Sequence, residues 1–184
     1  SLDLAVALLG ILKAGGAYVA VADDAYSLYW NPAGAAMGPA EVSVTHVEWF
    51  EGIRHEFIGY RQPIGGGHAV GLSAIGFFVP SDLERRSGAS EGDPFEPLTL
   101  PQGTFGASDV AVGATYARRF GRGWSGGATL KGLRSSIDTY SAIGAAADIG
   151  ARYDWPGRPL SLGGVIQHFG PGMKFRERVS ALPL

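Results

Sequence analysis

The tract from Ile143 to Trp155 alternates between two kinds of side chain without a break. Its odd-numbered positions are Ile, Ala, Tyr or Trp, whereas its even-numbered positions are Gly, Ala, Asp or Arg. Because successive side chains of a strand point to opposite faces, the tract predicts a strand with one apolar face and one face of small and charged residues. Such a strand suits the wall of an outer-membrane barrel. A half-buried strand of a soluble β-sandwich is the alternative, and repetition along the chain distinguishes the two.

The alternation recurs in other parts of the chain. Clear tracts span residues 109–120, 124–131 and 160–167, a tract over 68–79 begins clearly, and residues 42–50 and 53–64 alternate poorly. These tracts predict about seven strands, four of them strongly patterned. In an antiparallel barrel, short turns alternate with longer outer loops. Short connections are expected at 65–67, 121–123 and 156–158, and longer ones at 80–107, 135–140 and 170–182; only the tight turn expected at 51–52 breaks the rule.

Composition narrows the class of protein further. Charged residues make up only 17% of the chain, Gly occurs 29 times and Cys is absent. The net charge of −2 gives no electrostatic reason to expect binding to nucleic acid. The apolar run from Leu4 to Leu12 is far shorter than the roughly 20 residues that a membrane helix requires. This profile favours a transmembrane antiparallel β-barrel of the outer-membrane type, an all-β fold, over a helical membrane protein.

Two separated blocks resemble one family. Residues 16–24 followed by Tyr29-Trp30-Asn31-Pro32-Ala33-Gly34 resemble the opening motif of the PorV/PorQ family, whose members are bacterial outer-membrane proteins related to FadL fatty-acid transporters. Residues 167–175, from Gln167 to Phe175, are similar to a second block of that family. By this resemblance, Asn31, Pro32 and Ala33 match the hatch motif of FadL. Residues 1–40 would then form an N-terminal hatch segment with a short Asp-capped helix over 23–30, and residues 41–184 would form barrel strands.

The resemblance implies a function and a partner set. A FadL-type barrel has about fourteen strands, so this chain is expected to contain half of a larger barrel and to be a fragment. It would lie in the bacterial outer membrane, contact its lipid and transport hydrophobic compounds. The alternative is a component of a type IX-like secretion system that binds secreted protein cargo, with the outer loop over 80–107 as the docking surface. Neither role is enzymatic, and neither requires a cofactor.

The first residues carry a second, weaker resemblance. Residues 1–19, and chiefly Ile11 to Val19, resemble a core motif of nonribosomal peptide synthetase adenylation domains. The Gly/Ser/Thr-rich nucleotide loop of those domains is absent from the chain. An amphipathic helix or a junction of unrelated sequence is therefore the preferred interpretation.

Four groups of residues are candidates for a site. Lumen-facing charges are expected at Arg119, Lys131, Asp148, Arg152 and Asp154, and an apolar route for a ligand is expected at Phe77, Phe78 and Phe95. His46, Glu48 and His55 could hold zinc if Glu51 and Gly52 form a two-residue turn. Polar strand ends at a watery rim are the preferred interpretation of those three residues, so no metal site is expected. Tyr116, Trp124, Tyr153 and Trp155 suggest an interfacial girdle, with ordinary core aromatics as the alternative.

Overall fold

An antiparallel sheet of long strands makes up most of the protein. The computed structural model describes residues 18–84 and 103–177. The strands are β1 (Glu41–Glu48), β2 (Arg54–Gly65), β3 (His68–Glu84), β4 (Thr104–Gly121), β5 (Trp124–Ile137), β6 (Tyr140–Asp154), β7 (Ser161–Phe169) and β8 (Arg176–Glu177). The first seven strands follow one another in sequence order across the sheet. The short β8 pairs with Tyr140 and Ser141 at the start of β6. The prediction of an all-β, antiparallel architecture with about seven strands is therefore confirmed.

The sheet is open along the chain that the structure describes. Strand β1 pairs with β2 on one side, and β7 pairs with β6 on one side, but β1 and β7 do not pair with each other. The described strands therefore form an open wall of paired strands rather than a closed barrel.

A short irregular stretch precedes the strands. It contains α1 (Tyr18–Val21), α2 (Ser27–Trp30) and a 3₁₀ helix (Pro32–Ala36), and residues 18–40 are called the N-terminal segment below. The helix predicted over 23–30 is shorter than expected, because Asp24 closes a turn instead of capping the helix: its Oδ1 accepts from Tyr26 N at 2.9 Å. Among the described residues, no helix is long and apolar enough to cross a membrane.

The two faces of the sheet differ sharply in polarity. The N-terminal segment lies on one face, called the covered face, where small, hydroxyl and charged side chains are buried. The buried strand residues of the covered face include Arg61, Ala69, Thr115, Ala117, Ser125, Thr129, Lys131, Asp148 and Arg152. The other face, called the open face, carries exposed apolar side chains, among them Val44, Ile58, Leu72, Val112, Leu130, Ile143, Ile149, Leu162 and Ile166. The alternation predicted for residues 143–155 is confirmed by this division.

Register explains why the apolar side chains form a continuous surface. Directly paired residues in an antiparallel sheet project from the same face. Ile58 pairs with Ala74, which pairs with Val112. One row along, Leu130 pairs with both Ala114 and Ala147. A one-residue slip anywhere would move Asp148 or Lys131 onto the apolar face, so burial fixes the register.

Several connections differ from the expected lengths. Strand β3 continues to Glu84 and β4 begins at Thr104, so the loop expected over 80–107 is shorter at both ends. Pro80 is accommodated because the pairing shifts register between Val79 and Leu83, and a bulge tolerates the missing N–H. The connection expected over 135–140 is a tight turn at residues 138–139, with Asp138 at φ 54°. The expected two-residue turn at 51–52 is instead a longer loop containing a 3₁₀ helix over Phe50–Gly52.

Candidate functional site

The N-terminal segment reaches the covered face where two strands carry glycine. A Cβ at Gly127 of β5 would lie 2.5 Å from the carbonyl carbon of Pro32 and 2.8 Å from Ala33 N. A Cβ at Gly150 of β6 would overlap Asn31 Oδ1 and lie 3.0 Å from Pro32 Cδ. Any larger residue at either position would push the segment away from the sheet. These two glycines therefore make the close packing of the segment possible.

Asn31 forms three side-chain hydrogen bonds, two within the segment and one to the sheet. Its side chain is completely buried, at 0% exposure. The amide Nδ2 donates to Val19 O at 2.7 Å and to Ala151 O of β6 at 3.2 Å. The Oδ1 atom accepts from Ala33 N at 3.1 Å and so begins the 3₁₀ helix. The structure thus places Asn31, Pro32 and Ala33 at the centre of the contact between segment and sheet.

Asn31→Asp tests whether these donors hold the segment in place. The carboxylate keeps an acceptor for Ala33 N but removes both N–H donors and adds a buried charge next to two carbonyl oxygens. We expect the free energy of unfolding to fall by about 2 kcal/mol or more, since buried acceptors lose their partners. Urea titration of the protein in detergent measures this change. Thr139→Asp, which adds the same charge at an exposed turn, is the control; equal effects of the two variants would contradict this role of Asn31.

Arg61 of β2 binds the segment from one side of the sheet. Its side chain is only 1% exposed. Nη1 donates to the carbonyl oxygens of both Asp23 and Met37, and Nη2 contacts Glu41 Oε2 at 2.8 Å. The same carboxylate oxygen accepts from Ala25 N at 3.1 Å. One buried arginine thus satisfies two backbone carbonyls of the segment while its charge is balanced by Glu41.

Arg152 of β6 binds the same part of the segment from the other side. Nη1 donates to Ala22 O at 2.9 Å, and both Nε and Nη2 lie 2.9 Å from Asp154 Oδ1. Asp154 also accepts from Ser161 Oγ of β7 at 2.6 Å. Together with Arg61, this side chain holds the successive carbonyls of Ala22 and Asp23 from strands that lie four positions apart in the sheet.

Lys131 and Asp148 form a buried ion pair on adjacent strands β5 and β6. The two residues are nearly inaccessible to solvent, with Asp148 at 0% exposure. Asp148 Oδ1 accepts from the backbone N of His168 at 2.8 Å. His168 has a positive φ of 59° and lies where the pairing of β6 with β7 shifts register. Asp148 therefore neutralises Lys131 and stabilises the irregular backbone of β7 at the same time.

Removing the lysine should be far more harmful than removing both charges. Lys131→Met leaves Asp148 buried and unpaired, which typically costs about 3–5 kcal/mol. Adding Asp148→Asn to that variant removes the unpaired negative charge and keeps an oxygen that accepts from the backbone N of His168. We therefore expect most of the lost free energy of unfolding to be recovered. Urea unfolding of the two variants compares these free energies. A double variant no more stable than Lys131→Met would contradict the buried pair.

The remaining predicted lumen charge lies at the edge of this arrangement. Arg119 pairs with Ser125 and so shares the covered face with Lys131 and Asp148, but it is exposed near the β4–β5 turn. Four of the five predicted charges therefore form two ion pairs under or beside the N-terminal segment, and Arg119 does not join them.

Sequence reasoning missed three contacts of this site. Arg61 lies in a tract that alternates weakly because Phe57 points to the covered face and is buried there. Thr115 and Thr129 share a buried hydrogen bond of 2.7 Å between β4 and β5. Gln167 Nε2 donates to Tyr29 O at 2.7 Å, which links the two blocks that carry the family resemblance. The available signal for Arg61 was a single charged residue between Gly59 and Pro63 on the same face of the strand.

Tyr18 stabilises the start of the segment. Its hydroxyl donates to Asp24 Oδ2 at 2.9 Å, and its ring packs edge-on against Trp30 with centroids 5.9 Å apart. Burial raises the pKa of Tyr18, and the Asp24 carboxylate raises it further. The hydroxyl therefore remains a donor well into the alkaline range.

Two of the three phenylalanines predicted to line an apolar route lie in the described chain. Phe77 and Phe78 are neighbours on β3 and therefore point to opposite faces. Phe78 packs under the guanidinium of Arg54, whose Cζ lies 5.9 Å from the ring centroid. Phe95 lies outside the described residues. The apolar route through Phe77, Phe78 and Phe95 therefore stays a prediction.

The two-residue turn that would have brought His46, Glu48 and His55 to one face is not formed. Glu48 pairs with Arg54 and His55 pairs with Val47, so His55 projects from the face opposite to Glu48 and His46. His46 Nδ1 instead lies 2.7 Å from Glu56 Oε1. The cause is the longer connection between β1 and β2. Across residues 18–84 and 103–177, no three His, Asp or Glu side chains are close enough to share a metal ion.

The predicted aromatic girdle lies on the open face at one end of the sheet. Trp124 and Tyr153 are a directly paired couple with centroids 4.8 Å apart, and Tyr153 contacts Trp155 at 5.4 Å. Tyr116 projects from the same face and its hydroxyl lies 2.6 Å from His68 Nδ1. Tyr116, Trp124 and Trp155 are about half exposed, and Tyr153 is half-buried beside them.

Comparison with known proteins places the chain in a family. The profile of an uncharacterised protein family, UPF0164, matches residues 11–154. A search of curated proteins gives no match. The matched range contains the whole N-terminal segment and strands β1 to β6, and so it includes Asn31, Arg61, the Lys131–Asp148 pair and Arg152.

Proposed function

Since this chain belongs to the uncharacterised protein family UPF0164, we propose its function from its own geometry: it forms part of the wall of a bacterial outer-membrane β-barrel that transports hydrophobic compounds. In this proposal the open face contacts lipid, and the N-terminal segment occupies the interior as a gate. Transport involves no covalent step, because the barrel only provides a path that the segment opens or blocks.

The observation that carries the proposal is the inverted polarity of the sheet. Buried ion pairs and hydroxyl groups lie on the covered face, whereas Leu130 and Ile143 on the other face are 71% and 80% exposed. Water-soluble proteins seldom expose a contiguous apolar patch of more than a few hundred Å². Strands that are apolar outside and polar inside are typical of outer-membrane barrels.

The family resemblance supports the same interpretation. The Asn31-Pro32-Ala33 motif resembles the hatch of FadL-type transporters, and here it packs against Gly127 and Gly150 on the covered face of the sheet. The open edges of β1 and β7 support a larger assembly, since unpaired backbone groups are very costly in hydrocarbon. Further strands on those edges would complete the barrel.

The gate proposal assigns roles to three polar residues. Asn31, Arg61 and Arg152 form hydrogen bonds to backbone carbonyls between the segment and the strands, beside the apolar contact of Leu28 and Ala35 with Ala117. Such hydrogen bonds can be exchanged for water when the segment moves, at a modest net free-energy cost. A segment held in this way can leave the covered face without unfolding the strands.

Uptake by proteoliposomes tests transport. Liposomes carrying the complete protein should take up a labelled long-chain fatty acid faster than empty liposomes, and Arg152→Gln, which weakens the hold on Ala22, should increase the rate. A polar dye of similar size reports leakage. Uptake no faster than that of empty liposomes would overturn the transport proposal, as would an equal acceleration of the polar dye.

A cargo-binding role is the second candidate, and one feature favours it. Strands β3 and β4 extend beyond the last β5 partner at Ile137, and a cleft of about 820 Å³ lies at this end, lined by Arg54, Asp82, Thr104, Ser108 and Asp138. A polar cleft at the end of projecting strands is suited to binding a protein. Co-purification with a secreted protein, without fatty-acid uptake, would favour this role over transport.

A further inference from the structure

Four arginines surround the end of the sheet where the β2–β3, β4–β5 and β6–β7 connections lie. They are Arg118, Arg119, Arg122 and Arg158, called the arginine rim below, and all four are exposed. Arg118 is on β4, Arg122 is in the β4–β5 turn at φ 52°, and Arg158 is in the β6–β7 connection. The antiparallel order brings these positions to one edge of the wall.

Within residues 18–84 and 103–177, no carboxylate forms an ion pair with this rim, and Glu41, at the same end of the sheet, is paired with Arg61. Across residues 61–71, 116–126 and 153–163 the sequence contains one acidic residue, Asp154. Its Oδ1 atom is occupied by Arg152 and Ser161. The rim therefore presents positive charge that the described chain does not balance.

The opposite end of the sheet has a different character. Carboxylates occur there beside the cations, at Glu51, Glu56, Asp82 and Asp109, and Glu56 is paired with His46. The positive charge is thus specific to the end that carries the short turns. This asymmetry distinguishes the two ends of the wall by their chemistry.

Aromatic rings lie directly next to the rim on the open face. Trp124 follows Arg122 by two residues and packs against Tyr153, with Trp155 beside it. The guanidinium of Arg118 lies over Phe120, with Cζ 5.7 Å from the ring centroid. Tryptophan and tyrosine favour the level of lipid headgroups, with their apolar parts toward the acyl chains. The apolar face, the ring layer and the positive charges therefore follow one another along the same strands.

We infer that the arginine rim and its aromatic layer bind the headgroups of anionic phospholipids in the leaflet at the short-turn end. Guanidinium groups match phosphate oxygens in geometry and charge, and Arg118 can extend its stem along Phe120 toward the headgroup level. This inference rests on the proposed function, because it requires the open face to meet acyl chains. It adds a preference for one lipid class and an orientation of the wall.

Quenching of tryptophan fluorescence by brominated lipid tests the rim. In a Trp30→Phe, Trp49→Phe background, emission comes from Trp124 and Trp155 alone, since the chain has four tryptophans. The protein is placed in maltoside micelles and titrated with brominated phosphatidylglycerol or brominated phosphatidylcholine at low salt. The ratio of the two half-quenching mole fractions measures the preference for the anionic lipid.

We expect phosphatidylglycerol to quench at a much lower mole fraction than phosphatidylcholine. Replacing Arg118, Arg122 and Arg158 with Gln should reduce that preference to about one tenth or less, because each arginine near an anionic surface contributes roughly fivefold. The control replaces Arg54 and Arg134, at the opposite end, with Gln and should leave the preference unchanged. Arg134, like Arg118, is an exposed arginine on the open face.

The outcomes separate this inference from the proposed function. Equal quenching by both lipids would overturn the arginine rim as a headgroup site while leaving contact of the open face with lipid intact. An equal loss of preference in the rim variant and the control variant would also overturn it. Quenching by neither lipid would overturn both proposals, since the tryptophans would then not lie beside acyl chains.

Discussion

Leu130→Arg should prevent stable folding of the sheet in a bilayer, whereas the same substitution on a water-exposed face would change stability little. Leu130 lies in the middle of β5 on the open face, and its paired neighbours are Ala114 and Ala147. An arginine at the midplane of a lipid-facing surface costs about 2–4 kcal/mol. An exposed surface substitution in water usually changes stability by less than about 0.5 kcal/mol. The size of the loss therefore distinguishes a lipid-covered open face from one that is exposed to water.

The measurement is the free energy of unfolding in urea, with the protein reconstituted in phosphatidylcholine vesicles. Thr139→Arg adds the same charge at an exposed turn and should change the free energy little. Ala147→Asp, on the same face next to Leu130, should weaken assembly in the same direction. A Leu130→Arg protein as stable as Thr139→Arg would show that the open face does not lie in hydrocarbon.

Gly127→Ala should displace the N-terminal segment although it adds only one methyl group. The new Cβ would collide with backbone atoms of Pro32 and Ala33, which cannot rotate away as a side chain could. Overpacking of this kind costs about 1–3 kcal/mol when the backbone must shift. We expect the amide hydrogens of residues 27–36 to exchange faster, by the factor that this free-energy cost implies. The amide hydrogens of the strands should remain protected.

Gly164→Ala is the matched control for this prediction. A Cβ at Gly164 meets no atom within 4 Å, whereas a Cβ at the neighbouring Gly163 would lie 2.5 Å from Ala20 Cα. Gly163→Ala should therefore loosen the start of the segment and Gly164→Ala should not. Equal protection of the segment in all three variants would contradict its close packing on the covered face.

The strand faces could be predicted from sequence wherever the two faces differ in chemistry. Ile143 to Trp155 specifies its own orientation, because a charge at Asp148 or Arg152 and a branched chain at Ile149 tolerate only one register. The charged partners were harder to assign, because alternation gives the face of a residue and not its neighbour across the sheet. Lys131 meets Asp148 only through the register of β5 with β6.

Connections and irregular backbone could not be predicted reliably. The register of β1 with β2 depends on the loop over residues 49–53, and that loop decides that His55 faces away from Glu48. The bulge at His168 depends on a hydrogen bond to Asp148, a residue twenty positions earlier. The contacts of Arg61 depend on where the N-terminal segment folds back, which no local pattern specifies.

Coverage of the open face by hydrocarbon can be tested by sedimentation velocity combined with circular dichroism, with and without maltoside. We expect a folded, strand-rich and dispersed protein in detergent, and association or loss of cooperative folding when the detergent is removed. A protein that stays monomeric in detergent-free buffer, and unfolds there in one cooperative transition, would contradict it.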